Sequence, residues 1–103
     1  MTREETLEKA KTCVCGDRHE SYGTAEQNFG RIAELWTAYW GRDEVVFTKA
    51  DVAAMMALMK IARIAAYERY EASKYNDDNW VDLAGYAACG AEAQESHPTI
   101  NDL

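Results

Sequence analysis

The chain has 103 residues, enough for one domain and too few for two. A formal net charge of −7 argues against wrapping duplex nucleic acid, which asks for a basic surface, and is compatible with a site for cations. No run approaches the ~18 apolar residues of a membrane span, and Met-Thr-Arg-Glu-Glu at the start lacks a signal-peptide core, so we expect a cytoplasmic protein with no membrane partner.

A hydrophobic content of 48%, with three Trp and six Tyr, argues for a folded domain. One proline and six glycines leave little for the turns of an all-β fold. A domain of this size buries only roughly 60–65% of its unfolded surface, so its core is thin and a homo-oligomer would help bury the rest. Cys13, Cys15 and Cys89 form an odd set without a secretion signal, which argues for packed or idle thiols rather than a disulfide framework.

Four helical segments are expected in chain order. The first runs from about Arg3 to Cys15, with Leu7, Ala10 and Val14 at helical spacing and Gly16 to stop it. The second follows Thr24 and reaches Trp40, with Gly41 as terminator. Its stripe of Phe29, Ile32, Ala33, Trp36 and Trp40 fits a 3.6-residue period and reads as core.

The third opens at Thr48, where Thr48-Lys49-Ala50-Asp51 has the form of a capping box. From Val52 to Tyr70 it is apolar on nearly every side, as in the middle of a bundle or at a subunit interface. The fourth runs from near Asp77 to about Glu95, rich in Ala and Gly, and ends before Pro98. Nothing alternates at period two. The expectation is an all-α four-helix bundle, dimeric or higher, with one domain over residues 1–96 and a tail over 97–103.

Two stripes concentrate the chemistry. On the third helix, Arg63, Tyr67, Met56, Ala53 and Lys49 fall within about 60° of Lys60. Asp51 lies opposite and is assigned to the cap. On the fourth, Asp78, Asp82, Tyr86, Asn79, Gly85 and Cys89 make a polar stripe, with Trp80, Leu83, Ala84, Ala87 and Ala91 on the expected core side. Asp78 and Asp82 repel at i and i+4, so a cation should accompany them. In one reading Lys60 and Arg63 neutralise them in a structural network. In the other they hold Mg²⁺, which takes carboxylates plus substrate phosphates, while Lys60 and Arg63 grip the phosphates.

The segment from Asp17 to Gly23 gathers Arg18, His19, Glu20 and Tyr22, and either connects two helices or carries binding groups. Asn28 borders the apolar stripe and suits a base or a core hydrogen bond. Tyr22, Tyr67 and Tyr86 border the polar stripes and are the better stacking candidates, whereas Trp36, Trp40 and Trp80 read as packing. His97 lies in the tail.

Asp17-Arg18, Tyr22-Gly23, Asn28-Phe29, Lys60-Ile-Ala-Arg63 and Asp78 with Asp82-Leu-Ala-Gly-Tyr86 together resemble a small family of phage and prophage proteins, over about residues 14–92. The set is similar to nucleotide-modification-associated domains and, more distantly, to MazG-like all-α nucleotide pyrophosphohydrolases. The distant resemblance implies an oligomeric helical bundle that binds nucleoside triphosphates with Mg²⁺. Lys60-Ile-Ala-Arg63 stands where MazG-like enzymes carry Glu-x-x-Glu, and two of four carboxylates have no counterpart.

The roles implied are metal ligands at Asp78 and Asp82, phosphate contacts at Lys60, Arg63 and Arg18, and base or sugar contacts at Tyr22 and Asn28. Glu20 or His19 would serve as base. The function expected is nucleotide-phosphate binding of phage type, with Mg²⁺-dependent pyrophosphohydrolysis in the host cytoplasm as its enzymatic form. The alternatives are capture of a nucleotide or nucleotide signal without turnover, acting against host defence, and a purely structural helical dimer.

Overall fold

Thr2, Thr24 and Thr48 open three helices by the same local chemistry. Each threonine hydroxyl accepts a backbone N–H three residues on, from Glu5, Gln27 and Asp51 at 3.1, 3.0 and 3.1 Å. Those three side chains accept in return from the threonine N–H at 3.2, 3.0 and 2.9 Å. Such reciprocal bonds satisfy two of the amides that a helix start leaves without partners. Asp51 thus has the capping role expected of it.

In the computed structural model, which describes residues 1–17, 23–70 and 78–95 without the side chains of 17 and 68–70, these starts lead into α1 (Arg3–Thr12), α2 (Ala25–Trp40) and α3 (Lys49–Tyr70). A fourth helix, α4, spans Asp78–Glu95. Every regular element among the described residues is helical. The expected all-α architecture is what the chain forms. Arg18, His19, Glu20, Tyr22, Asp77, His97 and the tail lie outside the described residues.

α1 ends differently from the expectation. Gly16 does not stop the helix at Cys15; the chain leaves α-geometry after Thr12 and winds through a π-helical turn, Cys13–Asp17. The wider turn carries Val14 toward α4. α2 ends as expected at Gly41, whose φ of 112° lies where side chains beyond glycine are strained. The Gly41 N–H donates to the Thr37 carbonyl at 2.9 Å. The Phe47 N–H then donates to the buried Thr37 hydroxyl at 2.9 Å, and the Phe47 ring meets Trp36 edge-on at 5.8 Å. The connector between α2 and α3 is pinned by these contacts.

α3 packs against both α2 and α4, and α1 packs against α4. Lys60 lies level with Asp82 and Ala53 level with Gly90, so α3 and α4 run antiparallel as expected. Phe29 and Ala33 of α2 meet Val52 and Ala53 of α3 in the core, with Ile32, Trp36, Met56, Tyr86 and Cys89 around them.

Two face assignments are corrected. Trp40 stands 60% exposed at the end of its helix rather than in the core, because the chain turns away at Gly41 beyond the reach of α3. α4 is rotated about its axis from the expected setting. Val81 and Gly85 are buried with Asp82, Tyr86 and Cys89 turned toward α2 and α3, while Trp80, Ala87 and Ala91 face outward. The Asp82–Tyr86–Cys89 part of the polar stripe faces inward, where Lys60 meets Asp82.

Candidate functional site

Lys60 sits midway along the most apolar helix and is 8% exposed. A buried ammonium needs a charged or hydrogen-bonding partner. α4 supplies it: Asp82 Oδ2 lies 2.9 Å from Lys60 Nζ, with side-chain exposures of 16% and 10%. This pair fixes the register of the two helices and holds the carboxylate at the edge of a cavity of about 190 Å³.

The cavity lies between the π-helical turn, α2, α3 and α4. Phe29, Ile32, Met56 and Val81 form its apolar wall. Asn28, Asp82 and Tyr86 bring polar groups to it, and Cys13 and Cys89 bring thiols. The Tyr86 ring lies 6.1 Å from Phe29, tilted by 39°, so the core partly fixes its position. Close approach of α4 to the π-helical turn depends on Gly85, since a Cβ there would come within 2.9 Å of Val14 Cγ1. Chemically, the cavity offers a carboxylate, a carboxamide and a phenol beside an apolar wall, a combination suited to a small ring with polar edges.

Of the residues expected at a site, Asn28, Asp82 and Tyr86 come together, and Lys60 joins them through Asp82. Arg63 and Tyr67 do not line this cavity: Arg63 is exposed on α3 and Tyr67 is half-buried further along it. Asp78 stands at the start of α4, 60% exposed, with Lys9 of α1 at 3.4 Å. The two aspartates that share a helix edge in sequence therefore face different lysines. Among the described residues no three His, Cys, Asp or Glu side chains gather as metal ligands.

The roles expected of Arg18, His19, Glu20 and Tyr22 fall outside the described residues, although Cys13, Val14 and Gly23, which bracket them in sequence, line the cavity. Cys13, Ile32, Met56 and Cys89 were not expected at a site. Met56 and Cys89 had a signal, their helical register with Lys60 and with Asp82 and Tyr86; Cys13 and Ile32 had none.

Fold and cavity define a small all-helical protein with an amphipathic cavity beside a buried ion pair. The chain belongs to the family described as Domain of unknown function (DUF6378), whose pattern matches residues 5–94. It is similar to the Gene 55 protein of Mycobacterium phage L5, with 44% identity over 81 residues, covering 79% of this chain and 47% of that protein. Similarity to the Gene 55 protein of Mycobacterium phage D29 is 37% over 86 residues, covering 84% and 51%. The chain spans about half the length of these relatives. No solved structure matches it. The phage kinship expected from the motifs is met by these relatives. No helix among the described residues is long and apolar enough to cross a membrane.

Proposed function

We propose that the protein captures a nucleotide-derived small molecule, with one ring system of the ligand seated in the cavity between α2, α3 and α4. The observation carrying this reading is the convergence of Asn28, Asp82 and Tyr86 on an apolar wall. A volume of about 190 Å³ falls below the ~300–1,000 Å³ of pockets that enclose a drug-sized ligand. A single ring would therefore enter while sugar and phosphate stay outside. Asn28 and Asp82 would read the polar edge of the ring, and Tyr86 with Phe29 would pack on its face. The motif resemblance to nucleotide-handling families supports the choice of ligand class, with Arg18 and Tyr22 as further contacts by that resemblance.

Binding without turnover is the form favoured. A Mg²⁺-dependent pyrophosphohydrolase would need Asp78 and Asp82 to leave Lys9 and Lys60 for a shared ion, and their carboxylates meet those different lysines. Among the described residues the carboxylates do not gather as a Mg²⁺ site. Lys60 serves here to position the Asp82 carboxylate at the cavity wall rather than to grip phosphate.

Incubation with a mixed nucleotide pool, with and without Mg²⁺, followed by mass spectrometry tests the reading. An unchanged nucleotide retained by the protein without Mg²⁺, and lost at least tenfold in Asp82→Asn, is the expected result. Release of pyrophosphate would turn the assignment to hydrolysis. Retention of nothing would leave the helical bundle with a structural role.

A further inference from the structure

The outer face of α3 is as apolar as its inner one. Val52, Ala53, Met56 and Lys60 point inward to α2 and α4. On the other side Met55, Leu58, Met59 and Ile61 stand 43%, 62%, 37% and 47% exposed, with Ala54, Ala62 and Ala65 between them. Around the helix these residues span about 160° at 100° per residue. Between Asp51 and Arg63 the only ionisable residue is Lys60, which is turned inward, so this face carries no charge over roughly 18 Å of helix. A solvent-facing helix does not ordinarily present such a stripe; contiguous exposed apolar surface marks an interaction site.

We infer that this face is a homodimer interface, in which two copies pair their α3 helices antiparallel with Leu58 near the two-fold axis. Self-complementarity argues for a second copy as the occupant. The large residues Met55, Leu58 and Ile61 alternate with Ala54, Ala62 and Ala65, so the ridges of one helix fit the hollows of its mate. An antiparallel crossing at Leu58 brings Met55 of each copy over Ala62 of the other, and Ile61 over Ala54.

The exposed α3 side chains alone offer on the order of 400 Å² per protomer, about half of the ~800 Å² per partner in a standard interface, so the contact must extend beyond α3. Ala87 and Ala91 of α4 extend the same surface across the shallow groove beside Ala54 and Ala57. This inference is independent of what the cavity binds.

Sedimentation velocity of the whole chain over a range of micromolar concentrations tests it. The expected result is a species of twice 11.6 kDa. Leu58→Glu, at a side chain 62% exposed in the protomer, should weaken the dimer at least tenfold with an unchanged helical circular dichroism spectrum. Arg42→Glu on the connector, away from this face, should leave the dimer unchanged. A monomer at every concentration would overturn the inference. So would a dimer indifferent to Leu58→Glu, because another face would then hold the copies together.

Discussion

Asp78 and Asp82 stand one turn apart on α4, yet burial separates their energetics. Asp82 is held against Lys60 in a nearly dry setting, where removing one member of a charge pair typically costs about 3–5 kcal/mol. Lys60→Met should therefore lower unfolding free energy by about 3 kcal/mol in urea denaturation. Asp78 meets Lys9 in solvent, where such pairs contribute under about 1 kcal/mol and are screened by salt. Asp78→Asn should change stability by less than about 0.5 kcal/mol. Equal losses in the two variants would refute this division. The sequence showed that a cation must accompany these carboxylates. It could not show that each has its own lysine, because Lys9 lies 69 residues from Asp78 in the chain and nothing local marks the pairing.

At the scale of the helix, the threonine starts, the stop at Gly41 and the core stripe of α2 were legible; the end of α1 and the inward face of α4 were not. Starts and stops are written in four or five consecutive residues, as at Thr24, Gly41 and Thr48. The inward face of α4 was misread because alanine and glycine occupy both sides, leaving little contrast in hydrophobicity. Trp80 then looked like the natural core residue, although the buried lysine on α3 decided the rotation. The π-helical turn after Thr12 has no local signature, since it answers to a distant contact, Val14 against Gly85.

Two substitutions probe these junctions. Gly85→Ala drives a methyl into Val14, so α1 and its following turn should loosen, with a loss of about 1–3 kcal/mol and faster amide exchange in α1. Thr37→Val removes the acceptor for the Phe47 N–H and should cost about 1–3 kcal/mol in thermal or urea unfolding. No loss in Thr37→Val would mean that water replaces the hydroxyl and that the connector needs no pin.

Across the whole molecule, the described residues bury six hydrophobic side chains, and three of these are alanines, one each of α1, α2 and α3, that leave little volume in the core. Self-association through the outer face of α3 would add to so thin an interior. Its thermodynamic signature is a melting temperature that rises by a few degrees with each tenfold increase in protein concentration. A concentration-independent melt would contradict it. The thin interior was legible from chain length alone; the location of the uncovered surface was not, because an all-round apolar helix does not say which side its own chain will cover.

The threonines that begin α1, α2 and α3 have a further consequence. Each launches its helix with groups no more than three residues away, so phase along the chain is settled before any distant segment arrives. A helix phased at its origin cannot slide by one residue to relieve a poor fit downstream; it has to rotate or shift as a rod. Lys60 is thus delivered to its place opposite Asp82 by a hydroxyl three turns upstream, and deleting a residue between Thr48 and Lys60 would swing the ammonium by about 100° away from its counter-ion.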